Sequence, residues 1–318
     1  MRKLLLVSVL LSVVLYSCKS QQEKAEELYS QALAADSLKN FKESITLYEK
    51  AGLLGKAEAY WHLGDIYRDT IAGVTDTIKA VAYYHKADSL GVLEASSELG
   101  ALYYRGFASL KSDTTKAIKL IQKAGDKATG NGNYTIALYY YGTDNNKCQE
   151  YAEKAVKQGQ PRAYGCLSRV YSEKKDYKKA LELLKKGVEL KVPECMYIYG
   201  VILADSQISA EYGIEPDGKL AASLLKSVVN DYPDVAVTIG YLYSYGYGVE
   251  KDQVKAAYWF RIAANANDPV GMYDYGVSLL NGYGVNKDTK AAKEWFKKSA
   301  QLGYEEAKKI LNQYWLFR

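Results

Sequence analysis

Small and apolar positions recur along this chain with a period of 36 residues, most visibly toward its C-terminal end. Gly240 returns as Gly276, Gly246-Tyr247-Gly248-Val249 as Gly282-Tyr283-Gly284-Val285, Trp259-Phe260 as Trp295-Phe296, and Ala264 as Ala300. A fixed period in the range of about 20–50 residues marks a stack of like units, none of which can bury its apolar face alone. Within one period the apolar positions fall three and four residues apart in two separate stretches. That spacing predicts two helices per unit, called A and B here.

Helix A is predicted to open at Pro161, Pro193, Pro233 and Pro269, because proline suits a first turn whose N–H groups have no partner. Seven residues after each stands a small residue: Ser168, Gly200, Gly240 or Gly276. Gly64 and Gly100 hold that place in earlier units. Glycine inside a helix costs about 1 kcal/mol relative to alanine, so its return at one register predicts close approach of another helix. Helix B is predicted to follow Asp76, Asp113, Asp144, Asp176, Asp217, Asp252 and Asp288. Each stands four residues before a small residue: Ala80, Ala117, Cys148, Ala180, Ala221, Ala256 or Ala292. Asn40 and Ser44 repeat the relation near the start. An Asp or Asn there can accept hydrogen bonds from the unpaired N–H groups of a helix start, and the alanine is expected to pack against the helix A glycine. Gly55, Gly91, Gly159 and Gly303, with Asn267 in the same register, read as C-caps of helix B.

The Gly-x-Gly-Val loop, the Lys-Asp that follows it and the Trp-Phe-x-x-x-Ala helix resemble the Sel1-like repeat family, a relative of the tetratricopeptide repeats. The resemblance is strongest over 232–303 and clear over 56–127. The unit at 160–191 looks like a plain tetratricopeptide repeat, with Ser168 and Ala180 twelve residues apart where Gly240 and Ala256 are sixteen apart. The unit at 192–231 carries a longer insertion around Gln207–Pro216, and that at 128–159 is short. The resemblance implies an all-α, right-handed superhelical solenoid of antiparallel helix pairs. About eight pairs are expected over residues 25–303, closed by a capping helix over 304–318. Caps are needed because each repeat exposes its stacking face to the next.

The N-terminus carries a different signal. Met1-Arg2-Lys3 precedes an apolar run from Leu4 to Leu15 and then Tyr16-Ser17-Cys18. A basic start and a short apolar core describe a secretory signal, and the run is too short for a membrane span. With Leu15 three residues before Cys18, the segment resembles a bacterial lipobox. A signal peptide over 1–17, a lipidated Cys18 and a polar tether over 18–24 are therefore expected. The resemblance places the chain in a bacterial cell envelope, and in a Gram-negative host Lys19 favours the outer membrane.

Charge and chemistry narrow the functional classes. The formal net charge of +5 falls to +3 without Arg2 and Lys3, and the signs are interleaved, which argues against nucleic acid. Cys148 and Cys195 stand at small-residue registers and read as buried apolar residues. A Cys148–Cys166 bridge is conceivable in an oxidising compartment. The two histidines, His62 and His85, share a unit without cysteine and read as ordinary helical residues. The Gly-Tyr-Gly-Val loops lack the Gly-Lys-Ser/Thr of a phosphate cradle. No catalytic residue, cofactor or metal site is expected, and the chain is read as a non-enzyme. Cysteine-rich members of the resembling family are associated with penicillin binding and β-lactamase-like activity. They carry a cysteine pair per repeat that this chain lacks, so a cell-wall ligand binder or hydrolase of that type is the alternative.

Tyrosine is the compositional outlier, at 31 of 318 residues. Tyr60, Tyr67, Tyr103, Tyr164, Tyr171 and Tyr243 lie in the stripe that contains the small helix A position, and are expected to pack on helix B. One position over runs a second stripe with Trp61, Arg68, Tyr104, Arg169, Tyr197, Tyr241 and Tyr273. In the resembling families helix A lines the concave surface. These seven residues are therefore the expected floor of a groove that binds a protein or peptide, with the arginines suited to carboxylates. Packing between repeats is the competing use of the same rings.

Overall fold

The computed structural model describes residues 2–69, 73–107 and 110–315, with side chains over 20–69, 73–107 and 110–313. The expected signal peptide over 1–17 and Cys18 lie outside the residues whose side chains are described. Among the described residues there are eighteen α-helices and no strand. No described helix is long and apolar enough to cross a membrane.

The chain divides at residue 160 into two compact units. The first holds four hairpins: α1 (Arg2–Ser37) with α2 (Phe41–Leu53), α3 (Ala57–Arg68) with α4 (Thr77–Ser89), α5 (Leu93–Arg105) with α6 (Thr114–Ala124), and α7 (Gly130–Tyr140) with α8 (Asn145–Lys157). The second begins with α9 (Ala163–Glu173) and α10 (Tyr177–Glu189), followed by α11 (Pro193–Ala204) and α13 (Gly218–Val228). The insertion between α11 and α13 folds into a short helix, α12 (Ser206–Glu211). Then come α14 (Val235–Tyr245) with α15 (Gln253–Asn265), α16 (Pro269–Asn281) with α17 (Thr289–Gln301), and a last helix, α18 (Glu305–Trp315), which packs on α17. Residues 19–24 are helical and continuous with α1, as the helix formers Gln21, Gln22, Glu23 and Lys24 allow.

The caps follow the sequence pattern. All seven aspartates accept a hydrogen bond from the N–H three residues on, as Asp252 does from Lys255 and Asp288 from Ala291. Asn40 differs: it stands at the N-cap of α2 but makes no capping bond, because its amide donates to Glu43 at 2.6 Å instead. Gly55, Gly91, Gly159, Gly303 and Asn267 all have positive φ at the ends of helix B. Two of the four prolines stand at the first helical turn, Pro193 and Pro269. Pro161 and Pro233 precede their helices by two residues, because a tight turn comes first. Tyr164 N–H donates back to Pro161 and Ala236 N–H to Pro233, three residues apart in each case.

The contact that sets the A–B spacing is not the expected glycine–alanine one. A Cβ on Gly64 would meet the Tyr84 ring, on Gly240 the Phe260 ring, on Gly276 the Phe296 ring, and on Gly200 the Leu225 side chain. The glycine thus receives the large residue one turn beyond the alanine. At Gly100 both Ile121 and the Ala117 carbonyl come close. Tyr84, Ile121, Leu225 and Phe296 are among the largest side chains fully removed from solvent. Burying such side chains contributes roughly 1.5–3 kcal/mol each, which outweighs the glycine penalty of about 1 kcal/mol.

Much of the tyrosine excess is structural. The lysine three residues into helix B lies over a helix A tyrosine: Lys79 over Tyr67 at 5.1 Å, Lys116 over Tyr103 at 3.9 Å, Lys147 over Tyr140 at 4.8 Å and Lys255 over Tyr243 at 5.5 Å. Cys148, Cys166 and Cys195 are buried and none is in a disulfide, so the conceivable Cys148–Cys166 bridge is not formed. Burial pushes the Cys195 thiol up to about 12.

Candidate functional site

The stripe residues are largely drawn into contacts with the following repeat. In the first unit Arg68, at the end of α3, bridges two carboxylates, Asp65 at 3.2 Å and the buried Glu98 of α5. Tyr84 of α4 donates to Asp65 at 2.7 Å, and Asn131 of α7 donates to Glu98 at 3.1 Å. One polar chain thus crosses four helices. Two carboxylates share a single guanidinium, so burial and then the Glu98 charge push the Asp65 carboxyl up to about 7, against the pull of Arg68. Trp61 is half-buried against the core, and its indole N–H has no partner. Tyr104 is half-buried, and burial raises its phenol.

The second unit repeats the theme. Arg169 of α9 pairs with Glu194 of α11 at 3.1 Å. Tyr197 donates to Asp234, the residue before α14, at 3.0 Å and stacks on Tyr232. Tyr241 of α14 donates to Asp274 of α16 at 2.6 Å. Tyr273 packs between Phe296 and Tyr304, with ring centroids 5.5 and 5.3 Å away. Both expected groove arginines therefore already hold carboxylates of their own unit. The buried Glu98 and the half-buried Asp274 occupy the same register, two residues before the helix A glycine.

The exposed aromatic surface lies one step further along. Tyr245, Tyr247 and Tyr283 are between 54% and 60% exposed, where the stripe rings are half-buried. Tyr241, Tyr245 and Tyr247 form a run of stacked rings, with centroids 6.1 and 5.3 Å apart. Tyr245 lines two clefts. One, of about 410 Å³, runs between α11, α12 and α14 and also takes in Val201, Ile208 and Tyr247. The other, of about 480 Å³, runs between α14, α15 and α16 and also takes in Lys251, Val277 and Tyr283. Sequence reasoning did not reach these three rings. The signal was present, since Tyr247 and Tyr283 are the same residue of the repeated Gly-Tyr-Gly-Val loop.

The loop glycines hold those tyrosines in place. Gly282 and Gly284 have φ of +78° and +69°, a left-handed conformation that glycine adopts without strain. A Cβ on Gly284 would collide with the Gln253 carbonyl, and one on Gly248 with the Gly218 backbone. Each loop is therefore pressed onto the start of helix B in the preceding repeat, and its tyrosine projects from a fixed backbone.

No metal site emerges: among the described residues no three His, Cys, Asp or Glu side chains converge. His62 is instead packed against Tyr48 in a stacked arrangement, 2.9 Å from the Tyr29 hydroxyl.

Comparison with known proteins agrees with the geometry. The Sel1 repeat model matches residues 35–56, 57–92, 93–128, 132–160, 167–192, 237–268 and 269–304, more than half of the chain. A Sel1 repeat protein from Oxalobacter formigenes superposes with a TM-score of 0.59 at 22% identity, over 95% of this chain and 91% of that one. A protective antigen of uropathogenic Escherichia coli strains, displaying an SLR fold, superposes with a TM-score of 0.69 at 21% identity, over 95% of this chain and 67% of that one. No curated protein sequence matches the chain. The solved structures establish a solenoid of helix pairs and, at these identities, the fold alone.

Proposed function

This chain belongs to the Sel1 repeat family, and on that premise we propose that it is a membrane-anchored scaffold that binds a protein or peptide. Helical-repeat solenoids of this kind work by presenting an extended surface to a partner. The observation that carries the reading is the group of solvent-facing rings Tyr245, Tyr247 and Tyr283 around two adjoining clefts. Exposed tyrosines on a rigid backbone offer apolar area with a hydrogen-bonding tip at low entropic cost. In this reading Trp61, Arg68, Tyr104, Arg169, Tyr197, Tyr241 and Tyr273 form the floor of the binding faces, and the exposed loop rings make the contact. The action is binding rather than catalysis, with no cofactor.

Anchoring belongs to the same proposal. Residues 1–17 read as a lipoprotein signal ahead of a lipidated Cys18, which puts residues 19–318 on the outside of the cytoplasmic membrane of a bacterial envelope, on the outer membrane in a Gram-negative host. Two measurements test the whole reading. Cys18→Ala should move the chain out of the detergent phase; unchanged partitioning excludes a lipid at this residue. A Tyr245→Ala, Tyr247→Ala, Tyr283→Ala variant should lose the envelope protein that the wild type retains, with an unchanged melting temperature. Full retention by that variant sinks the cleft.

A further inference from the structure

The insertion between α11 and α13 places a carboxylate beside exposed rings. The cleft of about 410 Å³ between α11, α12 and α14 has room for one or two side chains. Val201, Ile208 and Leu242 supply its apolar lining, and Tyr241, Tyr245 and Tyr247 wall it. Among the described residues that line it, Asp205 alone is charged. An adjoining cleft of about 480 Å³ shares Ala204, Asp205 and Tyr247, and there too Asp205 is the charged lining residue. Asp205 stands at the N-cap of α12, where its Oδ1 accepts from the Gln207 and Ile208 N–H groups at 2.8 and 3.1 Å. Its Oδ2 has no hydrogen bond or ion pair among the described residues. The segment 205–217 holds four acids, Asp205, Glu211, Glu215 and Asp217, and no base, in a chain whose net charge is positive. Lys251 lies across Tyr245, in the cleft that also holds Asp274 of opposite charge.

The rings select the shape of a ligand, and Asp205 selects its charge. Tyr241, Tyr245 and Tyr247 stack with interplanar angles of 29° and 26°. The run ends at Tyr247, which is 60% exposed and has neither a further ring nor a cation against it among the described residues. Other tyrosines of the chain do carry a cation, as Tyr243 carries Lys226 at 4.8 Å. The open place in the stack suits one more planar group, and the carboxylate beside it suits a cation. A lysine ammonium is charged but not planar, and a phenylalanine ring is planar but uncharged. An arginine guanidinium is both: it stacks on aromatic faces while its N–H groups fork onto a carboxylate. We propose, resting on the cleft reading above, that this cleft holds an arginine side chain of an extended partner segment. The guanidinium lies against Tyr247 and Asp205. An apolar side chain two residues away, on the same side of the extended segment, lies on Val201, Ile208 and Leu242.

The test uses the full chain and heptapeptides of the form Gly-Leu-Ser-X-Ser-Leu-Gly, acetylated and amidated at their ends, where X is Arg, Lys, citrulline or Glu. Citrulline keeps the planar group and loses the charge. Binding is read by titration calorimetry. The Arg peptide should bind, the citrulline peptide at least about tenfold more weakly, the Lys peptide at least about threefold more weakly, and the Glu peptide least of all. Raising the salt from about 0.05 to about 0.5 M should weaken the Arg peptide and leave the citrulline peptide unchanged. Asp205→Asn removes the charge but keeps a good N-cap on α12. It should bring the Arg and citrulline peptides within about twofold of each other, at an unchanged melting temperature. Tyr247→Ala should weaken both. Arginine recognition is overturned if the Arg and citrulline peptides bind alike, if Lys matches Arg, or if no peptide binds at millimolar concentration. It is also overturned if Asp205→Asn keeps the preference. Full capture of the envelope partner by Asp205→Asn, with capture lost in the triple tyrosine variant, rejects arginine recognition and leaves the tyrosine cleft standing.

Discussion

Tyr241 donates its phenolic hydrogen bond to Asp274 at 2.6 Å, from the first helix of one repeat to the first helix of the next. The bond accounts for a half-buried acid facing the same cleft as exposed rings. Burial pushes the Asp274 carboxyl up from 3.8 to about 6, and the Tyr241 bond only partly opposes it. The folded state therefore keeps a proton that the unfolded chain gives up between about pH 4 and pH 6. The stability tied to this proton is complete below about pH 4 and is lost as pH rises through 6. Asp274→Asn should match the wild type near pH 4 and exceed it at pH 7.5 by on the order of 2 kcal/mol. Urea unfolding at the two pH values measures this; a variant equally destabilised at both would refute it. Asp65→Asn should behave likewise, with the window extended to about pH 7 because Glu98 adds to the burial.

The glycine register makes a second prediction, on stability. Gly240 faces the Phe260 ring, and Ala256 is 1% exposed. Gly240→Val and Ala256→Leu should each cost on the order of 1–3 kcal/mol through overpacking. Lys251→Ala should change stability by less than about 0.5 kcal/mol. Phe260→Leu should recover part of the loss in Gly240→Ala, because the two side chains meet. Thermal unfolding of the set decides it: equal shifts for all three positions would contradict the register.

What could be read in the sequence was what repeats. The aspartate caps, the positive-φ ends and the pairing of helices all depend on one residue at one register, and seven copies make such a residue conspicuous. The partner of the helix A glycine was misassigned because the position one turn beyond the alanine varies among Tyr84, Ile121, Leu225, Phe260 and Phe296. Its constancy is of volume and burial rather than of residue type. The inter-repeat bonds of Arg68, Arg169, Tyr197 and Tyr241 were hidden for a different reason. Their acceptors, Glu98, Glu194, Asp234 and Asp274, lie 25 to 37 residues away at differing offsets, so no fixed spacing announces them. Tyr247 and Tyr283 were visible as letters, but which way a loop residue faces depends on how the loop is pressed onto its neighbour.

The caps allow a paired comparison at two ends of the chain. Asp252 accepts from the Lys255 N–H at 2.9 Å, and Lys255 returns an ion pair at the same distance. Asp252→Ala should cost about 0.5–2 kcal/mol. Asn40 occupies the same position on α2 without a capping bond, so Asn40→Ala should cost clearly less. Equal losses in guanidinium unfolding would mean that the hydrogen bond is not what the aspartates supply.

The final prediction separates two reasons for glycine. Gly303 ends α17 with φ of +94°, and nothing lies within 4 Å of where a Cβ would stand. Gly284 has φ of +69°, and its Cβ would strike the Gln253 carbonyl at the start of α15. Gly303→Ala should therefore lose only the cost of the left-handed conformation, about 1–2 kcal/mol. Gly284→Ala meets that cost and a backbone collision as well, and the carbonyl cannot turn aside without disturbing the first turn of α15. Its loss should be on the order of 3 kcal/mol or more. Because the loop carries Tyr283, the same change should also weaken any ligand of the neighbouring cleft, while Gly303→Ala should leave binding untouched. Chemical unfolding of the two variants, with capture of the envelope partner by each, gives the answer. Equal destabilisation would mean that the loop is not pressed against the preceding repeat, and that Tyr283 is not held by it.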